Sequence, residues 1–252
     1  MIFDLEIDQR SLTLKGDHDS DALYSCPMKW YNYAIQDSTG IEIKNGVLFQ
    51  LPYEIQELKP DTDYLFIIKK GNDTLFSRAV KTLEAEPSKI TNLRHTLSNN
   101  WELTLEWGPP EYPNGKIVRY DVILLIQKYM GCSYSRSVST KNDNISTSTA
   151  SNTIIFSDLH PYAYYVAKVA ACNKYRGADE ETSFYTDEST VPTSMLSNLR
   201  IKDYMLQWDL PEDCTTISGP IPVARLVIDG CSSGVKTFHE VRQTKSRNFN
   251  LA

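Results

Sequence analysis

Positive charge is never gathered in one place along this chain. No run of Lys or Arg exceeds two residues, and 26 basic residues are outnumbered by 32 acidic ones, for a formal net charge of −6. A nucleic-acid partner needs a basic stripe and an anionic membrane surface needs a polybasic cluster, so neither is expected. Long apolar runs are also missing: nothing reaches the roughly 18 residues that a membrane-crossing helix requires. The opening Met1–Gln9, MIFDLEIDQ, carries acids where a secretion signal needs an apolar core. Any signal peptide or anchor of the parent protein is therefore expected outside this chain. Helical patterning is absent too. No segment keeps apolar residues at i, i+3, i+4 and i+7 over three turns, so essentially no helix is expected.

Catalytic and metal-binding patterns are equally scarce. The five cysteines (Cys26, Cys132, Cys172, Cys214 and Cys231) include no C-x-x-C, which excludes zinc ribbons and thioredoxin-type sites. The four histidines (His18, His95, His160 and His239) form no H-E-x-x-H and are expected as exposed loop or strand residues. There is no G-x-S-x-G and no Walker-type loop. No catalytic residue, cofactor, metal or small-molecule substrate is therefore expected.

What is present is a β-type composition with an internal repeat. Hydrophobic residues make up 41% and charged residues 23%, enough apolar material for packed cores, and Tyr is abundant at 15 residues. The length suits about two domains. LKPDTDY ends at Tyr64 and LHPYAYY at Tyr165; LTLEW ends at Trp107 and MLQW at Trp208. Each pair is 101 residues apart, the size of an immunoglobulin-like sandwich. Between these landmarks the alternation is that of strands. Leu103, Leu105 and Trp107 share one face; so do Val118, Tyr120, Val122 and Leu124; so do Tyr165, Ala167, Val169 and Ala171. The polar stretches Glu84–Pro87 and Asp187–Pro192 read as linkers ending in proline. The acidic run Asp179-Glu180-Glu181 reads as a solvated loop.

From Pro87 to Gly177 the residues resemble a fibronectin type III domain: Leu93, LTLEW with Pro109 and Pro110, NGKIVRYDV, the Leu159, Pro161, Tyr165 corner, then Val169, Ala171 and Asn173. Ala163 departs from the Thr often found in that family. The resemblance implies an all-β fold of tandem fibronectin type III, immunoglobulin-like β-sandwiches, the last one incomplete. The expected boundaries are 1–85 (an atypical sandwich, matched through Leu58, Pro60 and Tyr64 but lacking a Trp after SLTL), 86–191, and a truncated 192–252. The third unit matches through LSNLRIKDYMLQWDLPEDC and GPIPVARLVI, and on this alignment lacks its last two strands. Tyr64 and Tyr165 are expected to bond back to nearby backbone, and Trp107, Tyr120 and Trp208 to be core. The loop PEDCTTISGP (Pro211–Pro220) after such modules is similar to ectodomain repeats of insect receptor-type tyrosine-protein phosphatases. Those enzymes use a Cys followed six positions later by Arg, which no cysteine here satisfies. Arg176-Gly177-Ala178-Asp179 breaks the RGD pattern of integrin-binding modules with its extra Ala, and W-S-x-W-S of cytokine receptors is absent.

The resemblance implies the extracellular region of a cell-surface receptor, acting in protein–protein recognition, adhesion and signalling. Its partners are then other cell-surface or extracellular proteins, with membrane attachment through a segment outside this chain. The same modules also occur in intracellular structural arrays and as accessory binding modules of secreted enzymes. Asn72 (NDT) and Asn144 (NIS) are sequons at loop positions where a glycan can project into water. Ile117, Ile123 and Leu125, opposite Tyr120 on its strand, form a possible interface. In this fold Cys132 is a disulfide candidate with Cys172, and Cys214 with Cys231, although four cysteines allow three arrangements and buried thiols are the alternative. Non-reducing peptide mapping decides between them. Peptides joined Cys132 to Cys172 and Cys214 to Cys231 are the expected result, and alkylatable thiols at these positions would contradict it.

Overall fold

The computed structural model describes residues 3–16, 31–98, 101–130, 144–189, 197–202, 205–209, 224–232, 235–244 and 248–250, with side-chain surroundings up to residue 189. Contacts divide the chain into two compact units. One comprises residues 1–91, 109–120 and 170–179, the other 92–108, 121–169 and 180–252. All the regular structure among the described residues is β-strand.

Among the described residues up to 81 there are seven strands: β1 (Phe3–Ile7), β2 (Leu12–Gly16), β3 (Tyr31–Gln36), β4 (Glu42–Val47), β5 (Tyr53–Ile55), β6 (Asp63–Lys70) and β7 (Asp73–Lys81). They form a three-stranded sheet, β1-β2-β5, and a four-stranded sheet, β4-β3-β6-β7. The alternation of side chains along each strand turns one face of each sheet inward. Leu5, Leu12, Leu14 and Ile55 from the first sheet pack in one cluster with Tyr33, Ile35, Tyr64, Phe66, Ile68 and Val80 from the second. Each fully buried aliphatic or aromatic side chain contributes about 1.5–3 kcal/mol of apolar burial, so this cluster is the main stabilising element of the set.

The next seven strands are β8 (Thr91–Leu97), β9 (Leu103–Gly108), β10 (Arg119–Tyr129), β11 (Ile145–Thr149), β12 (Thr153–Phe156), β13 (Ala163–Cys172) and β14 (Glu180–Tyr185). Their sheets, β12-β9-β8 and β11-β10-β13-β14, repeat the first arrangement strand for strand. Leu12 pairs with Ile55 as Leu103 pairs with Phe156, which places Gly16 where the second set has Trp107. Leu103, Leu105, Val122, Leu124, Ala167 and Val169 are fully or almost fully buried. Five further strands, β15 (Ser197–Lys202), β16 (Met205–Asp209), β17 (Ala224–Ser232), β18 (Val235–Thr244) and β19 (Asn248–Asn250), form β15-β16-β19 and the hairpin β17-β18. That is the pattern of the first five strands of each preceding set.

The corner before β6 and β13 is built the same way twice. The Lys59 N–H donates to the Tyr64 hydroxyl at 2.9 Å, and the His160 N–H to the Tyr165 hydroxyl at 2.7 Å. A buried threonine after the last strand completes each corner. The Thr82 hydroxyl donates to the Lys59 carbonyl (2.6 Å) and accepts the Thr62 N–H (3.0 Å). The Thr186 hydroxyl donates to the His160 carbonyl (2.7 Å) and accepts the Ala163 N–H (2.9 Å). Left-handed backbone recurs in step, at Glu57 and Asp61 in the first corner and at Asp158 and Tyr162 in the second. Such non-glycine positions cost of order 1–3 kcal/mol each, which the surrounding hydrogen bonds must offset.

The structure corrects several expectations. Val118 precedes β10 and is 54% exposed, so it does not share the buried face of Tyr120, Val122 and Leu124. Glu180 and Glu181 open β14 instead of lying in a loop, and Glu181 pairs with Lys168 across the ladder. Ala170, which strand alternation puts opposite Val169 and Ala171, is as buried as they are.

Thr186→Val keeps the shape of the side chain but leaves the buried Ala163 N–H without its acceptor. A loss of about 2 kcal/mol is expected, with Thr82→Val costing a similar amount in its own corner. Urea unfolding followed by Trp and Tyr fluorescence measures both, and an unchanged midpoint in either variant would contradict this role.

Candidate functional site

The linker after β7 is held more tightly than its polar sequence suggests. Ala85 is buried; its N–H donates to the Asn114 carbonyl at 2.9 Å, and its carbonyl accepts from Asn173 Nδ2 at 2.8 Å. Asn173 Nδ2 also reaches the Pro113 carbonyl (3.1 Å), while Oδ1 accepts the Tyr175 N–H (2.7 Å). Asn114 Nδ2 donates to the Glu86 carbonyl at 2.7 Å. These backbone groups have no ladder to join, and two asparagine amides supply their partners. Two glycines make the approach possible. A Cβ on Gly177 would lie 2.6 Å from the Pro87 carbonyl oxygen, and one on Gly115 would lie 2.7 Å from Asn173 Nδ2.

In the same compact unit an open groove of about 720 Å³ is lined by Arg10, Lys59, Asp61, Glu86, Glu111 and Tyr112, among others. Its charges are mixed, so it selects for neither anions nor cations. The hydrogen bond from Lys81 to Asp61 (2.7 Å) holds that ammonium above its ordinary range. A hydrogen bond with Glu111 raises the Tyr112 phenol. Among the described residues no group of three or more His, Cys, Asp or Glu is placed to hold a metal ion.

The outer face of the β10-β13-β14 sheet is the more distinctive surface. Strand alternation turns Ile123 and Leu125 outward from β10, Tyr164 and Val166 from β13, and Tyr185 from β14. Ile123, Leu125, Tyr164 and Val166 are half-buried, and Tyr185 is 60% exposed. Tyr164 and Tyr185 are register partners with ring centroids 4.7 Å apart. On the inner face of the same strands Tyr165 and Phe184 stack at 5.4 Å. Ile117 is half-buried and lies ahead of β10.

The remaining singled-out residues fall as follows. Leu58, Tyr64, Trp107, Tyr120, Leu159 and Tyr165 are buried; Pro60 is buried and Pro161 half-buried. Asn72 and Asn144 are exposed. Cys172 is buried, its Sγ 3.9 Å from the Ala170 carbonyl. Cys132 and Cys214 lie outside the described residues, as do the side chains of Cys231 and Trp208 on β17 and β16. His95 is exposed with Nδ1 2.9 Å from the Thr182 hydroxyl, and half-buried His160 meets the Tyr129 ring edge-on at 4.7 Å. Arg176 is ion-paired with Asp179 of its own hairpin. Sequence reasoning missed Thr82, Thr186 and the Tyr164–Tyr185 pair. The threonines stand alone at strand ends, but an aromatic at each of two facing strand positions was a readable signal.

Comparison with known proteins identifies the second strand set. Residues 87–187 match the family model "Fibronectin type III domain", and that stretch is a fibronectin type III domain, a non-catalytic module. The chain is 27% identical over 177 residues to the phosphatidylinositol phosphatase PTPRQ of Homo sapiens, a match covering 65% of this chain and 7% of that protein. It is 34% identical over 94 residues to ephrin type-B receptor 3 of Homo sapiens (36% of this chain, 8% of the receptor). It is 27% identical over 151 residues to ephrin type-A receptor 4-A of Xenopus laevis (56% and 14%). The chain thus spans less than a sixth of the length of any of these relatives.

Asn173→Ala removes one acceptor and two donors from a side chain that is 4% exposed. A loss of about 2 kcal/mol in urea unfolding is expected. Asn173→Asp should not restore stability, because a carboxylate would face the Ala85 and Pro113 carbonyl oxygens. Wild-type stability in the aspartate variant at neutral pH would contradict this assignment.

Proposed function

From the fibronectin type III domain at residues 87–187, we propose that this chain is part of the extracellular region of a cell-surface receptor and works by protein–protein recognition. The observation that carries this reading is the match of the chain to named receptors, together with a non-catalytic fibronectin type III module at residues 87–187. The finer reading, a receptor-type tyrosine phosphatase parent with its catalytic domain elsewhere, is supported by the likeness of Pro211–Pro220 and by a phosphatase among the relatives. The partner is then another cell-surface or extracellular protein, and adhesion and signalling follow from its capture.

The outer β10-β13-β14 face is the recognition surface in this reading. Ile123, Leu125 and Val166 supply apolar area beside Tyr164 and Tyr185, whose rings bury readily while their hydroxyls keep a hydrogen-bonding end.

An antibody against the purified chain should label intact, unpermeabilised cells that express the endogenous protein. Labelling only after permeabilisation would overturn the receptor reading in favour of an intracellular array. In an ectodomain panel arrayed against the dimerised chain, Leu125→Ser combined with Tyr185→Ser should weaken the captured interaction about tenfold or more. Undiminished binding would move the recognition surface elsewhere.

A further inference from the structure

The two sequons share a structural position that their sequence context does not reveal. Asn72 immediately precedes β7, and Asn144 immediately precedes β11. Among the described residues each of those strands ends its four-stranded sheet, β7 in β4-β3-β6-β7 and β11 in β11-β10-β13-β14. An edge strand presents unpaired N–H and C=O groups to any other chain with a free edge. Both edges also carry an exposed aliphatic side chain near the sequon, Leu75 at 50% and Ile145 at 43%. All three residues of Asn72-Asp73-Thr74 are exposed, and so are Asn144, Ile145 and Ser146. The turn at Gly71 has positive φ and opens onto empty space, with no heavy atom within 4 Å of where its Cβ would lie.

We propose that Asn72 and Asn144 are N-glycosylated and that the two glycans shield the β7 and β11 edges from pairing with other chains. This rests on the extracellular reading, because the sugar donor, a polyprenyl-diphosphate-linked oligosaccharide, is met in the secretory lumen. In the transfer, a bond forms between Asn Nδ2 and the anomeric carbon. The bond from that carbon to the diphosphate oxygen breaks, and polyprenyl diphosphate leaves with the electron pair. One Nδ2 proton passes to a base of the transferase. No oxidation or reduction occurs. The hydrophilic glycan then occupies the solvent beside the first residues of the strand, where an incoming strand would have to lie.

The test is expression of the full chain behind a heterologous secretion signal in animal cells, with intact mass and glycopeptide mapping before and after peptide N-glycosidase treatment. Two glycan mass steps are expected, one lost in Thr74→Ala and the other in Ser146→Ala. If little protein is secreted, the fraction retained in the cells and treated with endoglycosidase H gives the same readout. In sedimentation velocity the enzymatically deglycosylated chain should self-associate at concentrations where the glycosylated chain stays monomeric. Unmodified asparagine at either site overturns the proposal for that edge, and a deglycosylated chain that remains monomeric overturns the shielding role. Unoccupied sites on a protein that intact cells display would overturn this inference and leave the receptor reading standing. Occupied sites on a protein absent from the cell surface would do the reverse.

Discussion

Each of the two described corners turns on a tyrosine hydroxyl that accepts a backbone N–H from five residues upstream. The corner carries the chain from one sheet of a sandwich to the other, where ladder hydrogen bonds are interrupted and backbone polar groups would be buried unpaired. A tyrosine anchored in the core by its ring and a threonine at the end of the final strand together take up those groups. Two left-handed residues per corner are tolerated because the chain is held on both sides of them. Once the corner is set, β6 and β13 enter their sheets in the register that turns Tyr64, Phe66 and Ile68, or Tyr165, Ala167 and Val169, toward the core. A slip of one residue would turn those side chains to solvent.

The same economy of backbone partners governs the linker after β7. Its carbonyl and amide groups have no sheet to join, and Asn114 and Asn173 stand in for one. The close approach demands glycine at 115 and 177, where a side chain would meet an amide nitrogen or a carbonyl oxygen. A stretch that reads as a polar spacer is thereby an ordered part of its compact unit.

Much of this was legible in the sequence because the strands alternate cleanly and the landmarks repeat. The Leu, Pro and Tyr of both corners announced the fold, and the pattern Leu103, Leu105, Trp107 fixed the buried face of β9. What the sequence hid was satisfied at long range. Thr82 and Thr186 look like any strand-end threonine until their hydroxyls are seen to reach residues more than 20 positions earlier. Val118 fits the alternation of β10 on paper, but the strand begins one residue later and leaves it in solvent. The acidic run at 179–181 has the local charge of a solvated loop, but Lys168 on the neighbouring strand makes Glu181 a ladder residue. The edge positions of Asn72 and Asn144 require sheet order, which no local pattern encodes.

The claim that the rest depends on is that the two corners are equivalent, fully bonded elements. Native-state hydrogen exchange at the Lys59, Thr62, His160 and Ala163 amides tests it most directly. These four N–H groups should exchange as slowly as those in the middle of β6 and β13, and the members of each repeat pair should match one another. Exchange at the rate of exposed turn amides would contradict the account.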